Sequence, residues 1–225
     1  QVRECTNQVM VYDTLKRTFN VVKTKGISVQ PRKDHSAAIY ESSMIVYGGQ
    51  FQNGSLSNEM LNFDIEYNDW SRLTLKSNFE PVTQMMCCSV LTGSNASAKK
   101  SVPTSSEITR MSDAIFDGIY FFGGKNGAGE LQNKLRYLKV NTSERKVMSV
   151  EWQKLKQQGN PPSGRTGHSM QFLPVNQSIV IVGGRNDQEC SSLSVPFLND
   201  MHLFLLDQKA WIEVKYIPVS EHLCR

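Results

Sequence analysis

Three times along this chain a run of large apolar residues ends in a pair of glycines. Met44-Ile45-Val46-Tyr47 precedes Gly48-Gly49, Ile119-Tyr120-Phe121-Phe122 precedes Gly123-Gly124, and Ile179-Val180-Ile181-Val182 precedes Gly183-Gly184. Behind each pair come a polar loop, an asparagine (Asn58, Asn133, Asn199), a second apolar run and a tryptophan (Trp70, Trp152, Trp211). The pairs lie 75 and then 60 residues apart. Ordered features that recur this way are an internal repeat, which restricts the chain to folds made by setting one supersecondary unit beside the next.

The offsets within the units are regular. Asn58 to Phe63 to Trp70 and Asn199 to Phe204 to Trp211 both step by five and then seven residues, and Asn7 to Tyr12 to Phe19 repeats both numbers at the N-terminal end. The middle copy departs from this, with Tyr137 one residue early and Trp152 following it by 15. Unit starts are marked by Pro31-Arg32-Lys33-Asp34-His35-Ser36 and by Pro162-Ser163-Gly164-Arg165-Thr166-Gly167-His168-Ser169, and Pro218 to His222 reproduces the gap from Pro31 to His35. The chain therefore divides into the end of one unit (1–30), a full unit (31–80), a second with an insertion at 93–112 (81–157), a third (158–216) and the start of another (217–225).

Within the first full unit, Ser36–Tyr40, Ser43–Tyr47, Met60–Phe63 and Trp70–Leu75 are short runs rich in β-branched, aromatic and apolar residues. Turn residues separate them, Glu41-Ser42, Gln52-Asn53-Gly54 and Asn68-Asp69, so each unit reads as four short strands and the chain as all-β. Glycine pairs at strand ends suit close backbone approach, and the tryptophans suit the space between neighbouring sheets.

These ordered features resemble the kelch repeat: a proline-arginine start, an apolar strand ending in Gly-Gly, an Asn-led strand ending in aromatic-Asp, and a strand opened by Trp. The resemblance covers nearly the whole chain. It implies a kelch-type β-propeller in which each unit is a four-stranded blade, here three full blades with partial blades at both ends. The half-units at the ends imply a segment of a longer ring, of six or seven blades.

A net charge of +4 on 225 residues is too mild to imply nucleic acid, and no apolar stretch is long enough to span a membrane. Five cysteines, at 5, 87, 88, 190 and 224, have neither zinc spacing nor an even count; Cys87-Cys88 within an apolar strand reads as small buried side chains in a reducing compartment, so the cytoplasm is the expected location. Four sequons, at Asn53, Asn95, Asn141 and Asn176, stand on the other side of that balance.

Strands in a blade alternate in direction, so the loops after the glycine pairs share one face of the disc with the connections between blades. That face carries Arg32 and Arg165 at unit starts, and Lys125-Asn126 and Arg185-Asn186 directly after two of the glycine pairs. In kelch adaptors that capture acidic peptides, an arginine and an asparagine so placed line the channel mouth, and an arginine fork suits carboxylates. Arg185, Asn186, Lys125, Asn126, Arg32 and Arg165 are accordingly the candidate partner-binding residues. As exposed charges they would contribute little to stability. His35 and His168 open inner strands and read as structural. The long polar stretch from Thr92 to Asp113 projects from the opposite face and reads as a disordered insertion.

No Walker loop, HExxH, nucleophile elbow or paired carboxylates occur, so no catalytic residue is nominated. The four histidines (35, 168, 202, 222) fall in different repeats without the Tyr-Cys pattern of a copper-oxidase propeller, so no metal or cofactor is expected. The reading is a non-catalytic scaffold or adaptor that binds a protein or peptide partner, an acidic one by the charge of this face, within a larger complex. The alternative is the accessory propeller of a multidomain enzyme of phosphatase or ubiquitin-ligase type.

Overall fold

A computed structural model describes residues 4–77, 79–92, 117–189 and 196–215. The insertion after Thr92, most of the loop that follows Arg185, and the Pro218–His222 start of a further unit lie at least partly outside the described residues. Among those described there are strands and turns and no helix.

Three antiparallel sheets of the same connectivity follow one another. The first joins β5 (Ser36–Tyr40), β6 (Ser43–Tyr47), β8 (Met60–Asp64) and β9 (Asp69–Leu73); the second joins β11 (Met86–Val90), β12 (Gly118–Phe122), β14 (Arg136–Ser143) and β15 (Lys146–Gln153); the third joins β16 (Ser169–Leu173), β17 (Ser178–Val182), β18 (Met201–Leu205) and β19 (Ala210–Glu213). Ahead of them stands a lone hairpin, β1 (Val9–Asp13) paired to β2 (Thr18–Val22). The chain leaving β2 then runs as β3 (Lys25–Gly26) parallel to β9, the outer strand of the next unit. Gln158 pairs with Ala210 in the same parallel way, so successive units are stitched at the rim.

The turns explain the recurring aromatic-Asp signature. Asp13 Oδ1 accepts from the backbone N–H groups of Leu15 and Lys16 at 2.9 Å each, and Asp64 Oδ1 accepts from those of Glu66 and Tyr67 at 3.0 Å. The side chain satisfies two donors that a tight hairpin leaves free.

The core lies between the blades. Trp70 packs on Phe63 with Val9 and Val22 of the hairpin; Trp152 meets Tyr47 and Phe121 across the first and second units; Trp211 meets Phe122 and Phe204 across the second and third. Trp70 and Trp211 are buried and Trp152 is partly buried. Phe121 and Phe122 point to opposite faces of one strand and both are fully buried, which only a sheet covered on both sides allows. Each contributes roughly 2–3 kcal/mol of burial. Two blade faces have no neighbour among the described residues: the one bearing Met10, Tyr12, Phe19 and Val21, and the one bearing Val182 and Ile212.

The second glycine pair shows why the position excludes other residues. Gly123 and Gly124 have φ of +73° and +85°. A Cβ on Gly123 would stand 2.5 Å from the carbonyl oxygen of Arg165 in the next unit, and one on Gly124 would stand 2.6 Å from Val82 Cγ1. The backbone approach is itself a contact, since Gly124 N–H donates to Arg165 O at 2.8 Å.

Candidate interaction face

Each unit ties its entry segment to the stretch after its glycine pair by a two-residue ladder. β4 (Arg32–Lys33) pairs with β7 (Gln50–Phe51), β10 (Val82–Thr83) pairs with β13 (Lys125–Asn126), and Thr166 bridges Arg185. These ladders hold the loops of neighbouring blades around an open cleft of ≈ 990 Å³. Asp34 and His35 of the first unit, Lys125 and Leu131 of the second, and Arg185, Asp187 and Phe197 of the third all line it.

The six candidate residues separate into two kinds. Arg185 and Lys125 line the cleft, and the Arg185 side chain is exposed and paired to Asp187 at 2.7 Å. Arg32 and Arg165 differ from the expectation of exposed docking charges. Arg165 has 0% exposure, and its fork is saturated: Nη1 and Nη2 donate to the two carboxylate oxygens of Asp200 at 2.6 and 2.7 Å, Nη1 also to Gly183 O, Nε to Ser163 O, and Nη2 to Ser163 Oγ. Arg32 repeats the arrangement with Glu59 (2.6 Å), Ser57 Oγ and Gly48 O, under the ring of Phe51. Both sit beneath the face and pin the glycine-pair strand to the third strand. A proline-arginine start therefore reads as an internal clamp, because a guanidinium at that position is enclosed by its own blade.

Asn126 and Asn186 are buried and shape their loops. Asn126 Oδ1 accepts from the backbone N–H groups of Ala128 and Glu130, and Asn186 Oδ1 from those of Gln188 and Glu189. Asn126 Nδ2 donates to Glu80 and Glu130, and Asn186 Nδ2 to Gly164 O and Glu189. They hold Lys125 and Arg185 in place from behind.

The partner of each buried arginine was missed in the sequence, although a signal was there. The residue after the unit asparagine is Glu59, Lys134 and Asp200 in the three units, and the residue at the arginine position is Arg32, Val82 and Arg165. Arginine and acid are present together or absent together, as a buried pair requires.

The electrostatics fit enclosed groups. Burial pushes the Asp200 carboxyl up, but hydrogen bonds and charge from Arg165 and His202 outweigh it and hold the group below its usual value; Glu59 is held low in the same way by Arg32 and Arg72. Burial, reinforced by the Arg165 charge, pulls His168 down to about 4. Its ring, edge-on to Phe122 at 5.6 Å, has no hydrogen-bond partner on either nitrogen among the described residues and is a neutral packing group. His35 is lowered chiefly by burial as well.

The family model described as the Attractin/LZTR1 beta-propeller matches residues 2–223. Among curated proteins, acyl-CoA-binding domain-containing protein 4 of Arabidopsis thaliana is 26% identical over 221 residues, covering 97% of this chain and 28% of the relative. Acyl-CoA-binding domain-containing protein 6 of Oryza sativa subsp. japonica is 23% identical over 205 residues, with 89% and 27% covered. The leucine-zipper-like transcriptional regulator 1 homolog of Drosophila melanogaster is 26% identical over 190 residues, with 84% and 16% covered. The chain thus spans less than a third of the length of each.

Proposed function

The chain belongs to the Attractin/LZTR1 β-propeller family, and from that premise we propose that it is a non-catalytic interaction module of kelch type whose protein or peptide partner docks on the glycine-pair face. The observation that carries this is the cleft. Loops from three units converge there, and it offers an exposed aromatic, Phe197, beside Lys125 and Arg185. A concave site with an aromatic anchor and a few charged groups suits a peptide segment. An acidic segment would meet Lys125 directly and exchange with Asp187 for Arg185. The chain spans less than a third of each relative, which supports a module that works within a larger protein or assembly. Cys87 and Cys88 are adjacent free thiols in β11, a state that a reducing location such as the cytoplasm would keep; imaging of the tagged protein tests that placement.

The function is tested by affinity capture with the wild type and with Lys125→Ala/Arg185→Ala. Partners retained by the wild type should be depleted in the variant and released by added salt, while the denaturation midpoint moves by less than about 0.5 kcal/mol equivalent. Undiminished capture would sink the assignment, and capture lost only on deletion of 93–112 would move the docking site to the opposite face.

A further inference from the structure

The second unit lacks the internal ion pair of its neighbours, and its cations collect elsewhere. Where the first and third units place Glu59 and Asp200 it has Lys134, where they place Leu61 and His202 it has Arg136, and two residues after the tryptophan it has Lys154 in place of Arg72 and Glu213. Lys134, Arg136, Lys154 and Lys156 line one cleft of ≈ 460 Å³ together with Phe79 and Trp152. This cleft shares no lining residue with the one among the glycine-pair loops. The three lysines are exposed, and no ion pair holds any of the four among the described residues.

Arg136 is the most telling of them. Its guanidinium lies 4.1 Å over the Phe79 ring, and Phe79 in turn packs on Trp152 at 4.7 Å, so the fork is seated on an aromatic pair and half-buried. Unlike Arg32 and Arg165 it has no carboxylate, and its polar contacts are at the limit of hydrogen bonding, 4.0 Å to Met85 Sδ and 3.5 Å to Gln132 Oε1. Glu80 is the acid whose charge reaches it, and Glu80 accepts from Asn126 Nδ2 instead. Among the described residues Trp152 Nε1–H is also without an acceptor, whereas its counterpart in Trp211 donates to Gln157 Oε1 at 2.9 Å. A preorganised fork with open donors, ringed by three ammonium groups, is chemistry for an oxyanion. Four charges with no acid among them suit a dianion with three acceptor oxygens better than one carboxylate.

We propose that this cleft on the outer part of the second unit recognises a phosphorylated serine or threonine within a peptide segment of a protein partner, with Arg136 as the fork and Lys134, Lys154 and Lys156 as the surrounding charge. The test is an NMR titration of the full ¹⁵N-labelled chain that follows the indole N–H signals of its three tryptophans. The probes are a short Gly/Ser-rich peptide with a central phosphoserine, its unphosphorylated and glutamate versions, and inorganic phosphate. The phosphopeptide should move the Trp152 signal and leave that of Trp70, which packs on Phe63 away from this cleft, in place, and affinity should fall roughly tenfold in Arg136→Gln and in Lys154→Ala. The unphosphorylated peptide should cause no shift. Lys154 is exposed, so Lys154→Ala keeps the test valid if loss of the Phe79 stack unsettles the other variant. An unmoved Trp152 signal, or affinity unchanged in both variants, overturns the site. Equal binding of the glutamate peptide overturns the phosphate assignment, and equal binding of inorganic phosphate overturns the peptide.

Discussion

Removing Asp200 isolates a charge at the centre of the third unit. In Asp200→Ala the Arg165 guanidinium keeps its contacts to Ser163 and Gly183 but loses both carboxylate bonds, at 2.6 and 2.7 Å, while remaining fully enclosed. An uncompensated buried charge of this kind costs about 3–5 kcal/mol. The Asp200 side chain is 25% exposed, so water entering its place should keep the loss near the lower end, about 3 kcal/mol. Arg165→Met/Asp200→Asn removes the charge itself and should recover at least half of that loss, as the second unit does naturally with Val82 and Lys134. Urea denaturation reads both, as shifts in midpoint at constant slope. A single variant within about 0.5 kcal/mol of the wild type, or a double variant as unstable as the single, would refute the clamp. Loss of partner capture by the double variant with stability intact would restore Arg165 to the docking surface.

The remaining expectations concern pH and the glycine pairs. The folded-state pKa of His168, about 4, lies below the unfolded value of 6.5, so the unfolded chain binds the extra proton first. Stability should therefore fall by on the order of 3 kcal/mol as pH drops from 6.5 to 4, and His168→Phe should flatten that window in urea midpoints measured against pH; an identical profile for wild type and variant would remove His168 as the cause. Gly124→Ala meets both a φ of +85° and a 2.6 Å approach to Val82, and should cost about 2 kcal/mol or more, whereas Gly129→Asn, at φ +82° in open space, should stay within about 1 kcal/mol by the same denaturation assay. Equal costs would mean that crowding at the glycine pair is not what excludes a side chain.

The repeat and its strands were legible because they depend on local chemistry. Ser36–Tyr40 and Ser43–Tyr47 run between the same residues in the structure as in the sequence reading, since two short apolar runs joined by a two-residue turn specify a hairpin without reference to anything distant. The tryptophans could be assigned to the space between blades for a similar reason, that an indole must find cover somewhere. Charge was different. Arg32, Arg165, Arg136 and Arg185 look alike in the chain, yet two are enclosed with carboxylates 27 and 35 residues away, one lies over an aromatic ring with its donors open, and one faces a cleft. Nothing in the neighbourhood of each arginine separates these fates, because the energy of a charge depends on how completely the folded chain removes water from it and on which distant group then stands within hydrogen-bond reach. The periodic apolar pattern is enough to choose the blades, whereas the roles of the arginines wait on the closing of one blade against the next.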